Sequence, residues 1–490
     1  MDQRSTLAPQ WGRPVAVRLA LAPRWGRPIT VLIAVAALLL AELVAAPARA
    51  QSILRDAETE ALLRDIAAPL VAAAELDPRS IHIYLVGDSS INAFVAGGQN
   101  VFFHSGLLVA AEDVNQVQGV MAHELGHIAG GHAVRWGEGA GPASTISILS
   151  LILGAAAMAM GAGDVGMAAI MAGQQAAQAR ILSFNREQES RADQAAALYL
   201  NRAGITGRGM IRFFEQLQGE EYRLAIPQTN SYNRTHPLSG ERIRALDNVL
   251  RESPSWDAPV DPELQARYAR VRGKLVGFLY PLETVLAAYP ESDGSPAARF
   301  ARAYGYHRAA FPEKALAEIE AVVARTPDDP YARELQGQIL LESGRVAEAL
   351  GPLRRAVELS RGEPLIAGML GHALLQASND GADEARLAEA EAVLRNVVQR
   401  DSRNPFAWLQ LGTIYELKGD QPRAALASAE RISLTGGDPR LAARAARTAM
   451  AGLPRGTPDF LRAEDIALAS QGEIERLRLR DRSQQEPQPR

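Results

Sequence analysis

Five prolines, Pro296, Pro330, Pro364, Pro405 and Pro439, lie 34, 34, 41 and 34 residues apart. Gly337, Gly371 and Gly412 each fall seven residues after one of them. Ala315, Ala349 and Ala424 fall nineteen after theirs. Ala390 falls twenty-six after Pro364, which places seven extra residues around 379–385. Small residues at a fixed period let two antiparallel helices approach closely, and a proline ends each unit. Units of this kind contact only their neighbours, so they stack into a solenoid with a concave surface suited to peptides or protein partners. That constraint fixes the C-terminal third of the chain.

The 34-residue period is the tetratricopeptide (TPR) signature. It predicts an all-α TPR solenoid over 295–455, then a terminal helix and a disordered tail over 456–490, rich in Gln, Arg and Pro after about Asp481. A chain of 490 residues leaves room for one or two further domains ahead of it. With 52 basic and 56 acidic residues the net charge is −4, which argues against a nucleic-acid partner. The absence of cysteine excludes disulfides, iron–sulfur clusters, Cys-ligated zinc and a cysteine nucleophile.

The first fifty residues read as an export signal. Arg24 and Arg27 precede an apolar run from Ile29 to Ala46, and Ala48-Arg49-Ala50 forms a small-residue cleavage site before Gln51. The alternative is an uncleaved membrane anchor, since the run is long enough to span. Beyond it, helical spacing holds from Asp56 to about Glu75. Ile81, Ile83 and Leu85 alternate as in a short strand, and a second strand is expected from Gln99 to His104 after the turn Gly97-Gly98. A helix capped by Asp113 should run past His127, and another should carry Glu187 to Tyr199. This part, 51–252, is expected to be an α+β domain with a small β-sheet, making the whole chain mainly α. A Pro-rich link, Ser253 to Pro262, opens a connecting stretch over 253–294.

The sharpest chemical signal is His123-Glu124-Leu125-Gly126-His127. Residues four apart on a helix share a face, so both imidazoles can reach one Zn2+ ion. Glu124, turned about 100° from His123, sits beside the metal and can act as general base. Val120, Met121, Leu125 and Ile128 make the rest of the helix apolar, and buried His and Glu need partners. A catalytic zinc wants a third protein ligand and one open position. His132 would point elsewhere on a continuous helix, as a capping or supporting residue. Glu189 is the better candidate, with Asp193 one turn on to accept an N–H from a ligand histidine. From spacing alone, an ordinary charged helix face explains Glu189 and Asp193 equally well.

Together, H-E-L-G-H and the E-x-x-A-D of Glu189–Asp193 resemble the HtpX/CAAX-prenyl-protease clan of gluzincin metallopeptidases. The resemblance spans about Ala57 to Leu250. It takes in Asn92-Ala93-Phe94, Gly97-Gly98 and Gly106-Leu107-Leu108, which look like that clan's edge strand beside the active site, and Thr235-His236-Pro237 with Arg242-Ile243 downstream. With an export signal and C-terminal TPRs, the chain is similar to the periplasmic, BepA-like branch. The resemblance implies one Zn2+ held by His123, His127 and Glu189, with Glu124 as catalytic base. It further implies a periplasmic endopeptidase acting in outer-membrane protein assembly or quality control, whose partners are unfolded or misassembled proteins and, through the TPRs, assembly machinery.

Three features carry more than one reading. Gln99, Asn100, Val101, Phe102 and Phe103 would bind an extended substrate if their strand lies at a sheet edge, and would be an ordinary paired strand otherwise. His236 is expected to stabilise the reacting oxyanion, to occupy the open zinc position and keep the enzyme latent, or to be a surface residue before a turn. The stretch 146–171, with Asp164 as its only charge, reads as a helical hairpin capping the site and touching a membrane surface, as a membrane-spanning hairpin, or as a buried core pair. The rival functions are a TPR chaperone or scaffold with a silent protease domain, and a membrane-embedded protease of the CAAX type.

Overall fold

The computed structural model describes residues 53–132, 149–151, 163–224, 236–379 and 381–485. The export signal, the cleavage site at 48–50, most of the 146–171 hairpin and the last five residues of the tail lie outside the described residues. Among the described residues, no helix is long and apolar enough to cross a membrane.

The first domain opens with strand β1 (Ile53–Leu54) and helix α1 (Ala57–Ala73). Asp56 caps α1 by accepting from the Thr59 amide, one of the donors a helix start leaves unpaired. Strands β2 (His82–Val86), β3 (Ala93–Ala96) and β4 (Asn100–His104) follow, then helices α2 (Ser105–Ala110) and α3 (Val114–Ala129). The sheet order is β1-β2-β4-β3. Gly97 and Gly98, at φ 60° and 98°, make the left-handed turn that folds β3 back antiparallel onto β4. The other side of β4 pairs in parallel with all five residues of β2.

That pairing corrects one expectation. Asn100–His104 is a central strand, and its neighbour residue Gln99 lies in the turn, so 99–103 offers no open backbone edge. The edge on that side of the sheet is β3 (Ala93–Ala96), which includes part of the Asn92–Phe94 stretch that the family resemblance indicated.

Helix α3 is the core of this domain, with Val117, Val120, Met121 and Leu125 fully enclosed. Asp113 caps it through the Gln116 amide, as the sequence predicts. Helix α4 (Gly163–Arg202) is a single 40-residue rod, far longer than the expected Glu187–Tyr199 segment, and absorbs the end of the Ala/Met-rich stretch. It crosses α3 at Gly126, where an added Cβ would lie 2.7 Å from the Ala192 carbonyl oxygen. The glycine inside the H-E-L-G-H run therefore sets how closely the two helices approach. Helices α5 (Arg208–Leu224) and α6 (Gly240–Arg251) close the domain.

The connecting stretch is not a free linker. Helix α7 (Pro262–Leu279) buries Tyr268, Val271 and Leu275 in the first domain's core, and the Tyr268 hydroxyl donates to the carbonyls of Leu108 and Ala111 at 2.8 and 2.7 Å. A short helix α8 (Leu282–Ala288) leads to five helix pairs. These are α9 (Pro296–Arg308) with α10 (Pro312–Val323), α11 (Pro330–Glu342) with α12 (Val346–Leu359), α13 (Pro364–Ala377) with α14 (Glu384–Arg400), α15 (Pro405–Leu417) with α16 (Gln421–Leu434), and α17 (Pro439–Gly452) with α18 (Pro458–Gln485). The periodic prolines open the first helix of each pair. There the missing N–H costs no hydrogen bond, and the preceding Ser295, Asp329, Glu363, Asn404 or Asp438 caps it. Of the seven extra residues, three lengthen the α13–α14 connection, and the others make α13 one residue and α14 three residues longer than the corresponding helices α11 and α12. Helix α18 continues to Gln485, beyond the Asp481 at which the tail was expected to begin.

Candidate metal centre

Helix α3 carries His123 and His127 on one face, and the close α3–α4 crossing brings Glu189 opposite them. His236, at the start of the loop before α6, completes the group. One ligand atom from each of these four buried residues lies within 4.8 Å of all the others. His123 Nε2 is 3.1 Å from His127 Nε2, 3.3 Å from His236 Nδ1 and 3.4 Å from Glu189 Oε2. Glu189 Oε1 is 3.3 Å from His127 Nε2 and 3.1 Å from His236 Nδ1.

Ligand atoms about 2.0–2.1 Å from a tetrahedral zinc stand roughly 3.3–3.4 Å apart. The five distances above, 3.1–3.4 Å, lie close to that spacing. Hydrogen bonds alone do not account for it, because a nitrogen such as His123 Nε2 carries at most one proton and here faces three acceptors or donors at once. A cation at the common focus satisfies all four. The second observation is Glu124: fully enclosed, with neither carboxylate oxygen hydrogen-bonded. Leaving a buried carboxylate without a partner is costly, so such a group is retained where a reacting group will meet it. His236 Nε2 lies 3.6 Å from Glu124 Oε1. The residues therefore fit a zinc ion.

The surrounding residues orient the cluster. His123 Nδ1 lies 3.0 Å from Asp193 Oδ1, which leaves Nε2 to face the focus. His127 Nδ1 lies 2.8 Å from His132 Nδ1, so His132 supports His127, the role its position after the helix suggested. Burial lowers the proton affinity of His127. Burial pushes His123 the same way, but hydrogen bonds with Asp193 and Glu189 outweigh it and raise the imidazole to about 9. Burial would raise the Glu189 carboxyl, yet the three histidines hold it well below the usual carboxylate range. Asp193 is lowered too, by Arg242 and His123 against the effect of burial.

The surface reading of His236 is overturned: the ring is buried, with Nδ1 on the ligand cluster and Nε2 3.3 Å from the carbonyl oxygen of Ala93 on edge strand β3. Of the residues 99–103, none joins the cluster. Sequence reasoning gave no role to Arg242, whose guanidinium pairs with both Glu189 and Asp193. The signal was available in outline, since two carboxylates one turn apart on a buried helix face require a counter-charge.

Comparison with known proteins agrees with this geometry. Residues 55–250 match Peptidase family M48, and residues 300–364 and 375–439 match the tetratricopeptide repeat. The chain is 26% identical over 379 residues to the beta-barrel assembly-enhancing protease of Yersinia pestis, covering 75% of this chain and 74% of that one. It is 25% identical over 373 residues to the protein of the same name from Escherichia coli strain K12, with the same coverage. Against the putative beta-barrel assembly-enhancing protease of Vibrio cholerae, identity is 30% over 222 residues, 45% of each chain. The chain thus joins a metalloprotease domain of the zinc-dependent M48 family to a C-terminal run of tetratricopeptide repeats.

Proposed function

We propose that this chain is an exported endopeptidase that degrades misassembled outer-membrane proteins, with His123, His127 and Glu189 as zinc ligands and Glu124 as general base. The observation that carries the reading is the four-residue cluster at tetrahedral spacing beside an enclosed, unpartnered Glu124. Zinc, when bound, polarises the scissile carbonyl and lowers the pKa of attacking water. Glu124 takes the proton from that water and passes it to the leaving amine. Asp193 holds His123 in the tautomer that presents Nε2. Edge strand β3 aligns an extended substrate by adding it to the sheet, which uses backbone hydrogen bonds and so accepts many sequences.

His236 in this arrangement stands where a fourth ligand would, and the protein is latent. Its release opens that position and frees Nε2, which also lies near Glu124. A cavity of about 530 Å3 between the start of the protease domain and the concave face of the repeats, lined by Arg55, Lys274, Glu334, Met369, His372 and Phe406, is the recruiting surface for substrate or assembly machinery. Its mixed apolar and charged lining suits a polypeptide. The names of the relatives support the outer-membrane assembly role, and the signal-like segment 1–50 supports a periplasmic location.

The test is cleavage of an unfolded outer-membrane β-barrel protein by purified 51–490 with zinc, beside two variants. Glu124→Gln should bind zinc and cut nothing. His236→Ala should cut faster than wild type; slower cutting would return His236 to the oxyanion role. Absence of bound zinc in the wild type would sink the enzyme reading and leave a TPR scaffold.

A further inference from the structure

We propose that Arg242 is the positioning residue of this centre, one guanidinium that fixes the acidic ligand, the carboxylate orienting a histidine ligand, and the His236 loop in a single geometry. The inference rests on the ligand assignment above. Arg242 lies in the first turn of α6, and its side chain is only 10% exposed. Nε and Nη2 form a two-pronged contact with the Asp193 carboxylate, Nη2 donating to Oδ1 at 2.9 Å. Nη1 lies 2.9 Å from Glu189 Oε2 and donates to the Pro237 carbonyl at 2.9 Å. The guanidinium carbon sits 5.6 Å from the centre of the Phe214 ring, which meets His123 edge-on. Every nitrogen of the group is thus committed, and its plane rests on a ring that also backs a metal ligand.

Each contact has a consequence for the metal. Pinning Asp193 fixes His123 Nδ1, and with it the direction of Nε2. Glu189 Oε2, held by Arg242, lies 3.4 Å from His123 Nε2 and 3.2 Å from His236 Nδ1, and Oε1 faces His127 and His236. The guanidinium thereby fixes the orientation of the Glu189 carboxylate relative to the three imidazoles. The bond to Pro237 ties the residue after His236 to the same fork. Glu189 and Asp193 are one turn apart and would repel each other in the metal-free protein, and the guanidinium supplies the charge that preorganises them. A lysine cannot reproduce this, since its ammonium is a point charge without the planar fork.

The experiment measures zinc affinity by competition with a chromogenic chelator, using 51–490 and the variants Arg242→Lys and Arg242→Gln, with helix content checked by circular dichroism. Both variants should fold and bind zinc about 10- to 100-fold more weakly than wild type. The cobalt-loaded proteins should differ in visible absorption, reporting an altered arrangement of the ligands. With zinc saturating, Arg242→Lys should lower kcat and leave KM unchanged. Wild-type affinity in Arg242→Lys would show that charge alone suffices and overturn the proposal. Loss of fold in both variants would assign Arg242 a merely structural role and overturn it as well. If the wild type itself binds no zinc, the ligand assignment fails instead, so the two failures are distinguishable.

Discussion

Asp193 touches no substrate and is not one of the four clustered residues, yet it sets which nitrogen His123 presents. Replacing it with Asn should weaken zinc binding about 10- to 100-fold without displacing the helix, a change chelator competition would read. The same scale shows what sequence could and could not reveal. His123, Glu124 and His127 were legible because helix geometry alone puts two imidazoles on one face and the glutamate beside them. Glu189 and Asp193 needed family resemblance, since four-residue spacing of acids also describes a solvated helix. His236 left three readings open, because no local pattern records which way a ring before a proline will turn. Arg242 was singled out only as part of the family resemblance and given no role, because its meaning lies in contacts 49 residues away in sequence.

Between elements, the decisive contact is the α3–α4 crossing at Gly126. A Cβ there would meet the Ala192 carbonyl at 2.7 Å and the Ala192 Cα at 3.0 Å, both backbone atoms that cannot move aside like a side-chain tip. Gly126→Ala should therefore cost about 1–3 kcal/mol of stability. It should also separate Glu189 from the two histidines, so the variant's melting temperature should lose most of the increment that added zinc gives the wild type. Unaltered zinc response in a folded Gly126→Ala protein would contradict this account of the site. Strand order shows the limit of reading elements one at a time. The sequence marked Gln99–His104 as a strand and the glycine pair as a turn; the strand holds over Asn100–His104, and Gln99 joins the turn. Whether that strand lies at an edge depends on β2, thirteen or more residues upstream, pairing along its whole length, which alternation within a single segment does not encode. The repeats were far more legible, because each proline acts locally at a helix start and each small residue acts on its immediate partner helix.

Across the whole molecule, the protease domain and the repeats meet through charge. Lys274 on α7, 6% exposed, pairs with Asp56 at 2.7 Å and Glu58 at 3.1 Å, and Arg270 joins Glu58 to Asp329 at the start of α11. Burial opposes the Lys274 charge, but Asp56 and its neighbours hold its pKa well above normal. Truncating Lys274 to Met would strand buried carboxylates and should destabilise the protein by about 3–5 kcal/mol, measurable by urea unfolding. Glu334 on α11 faces the same cavity, and burial pushes its carboxyl up to about 8 against the pull of Lys274. Its ordinary value is 4.5, so between roughly pH 5 and 8 the folded chain holds a proton that the unfolded chain has released. This contribution to stability is complete below about pH 4.5 and is lost as pH rises towards 8. Glu334→Gln should remove it, so the melting temperature of wild type relative to the variant should fall by several degrees from pH 5 to pH 8. A difference that stays constant with pH would refute the assignment.

The charge cluster also orders events in time. Asp56 and Lys274 are separated by 218 positions, and Asp329 enters 59 positions after Arg270. A ribosome that has made the whole zinc-binding segment has not yet made the residues that neutralise the opening turn of α1. Arg270 and Lys274 follow on α7, and the Arg270–Asp329 contact comes later still, with the repeats. The charge cluster of the first domain is therefore complete only once the start of the second helix pair exists.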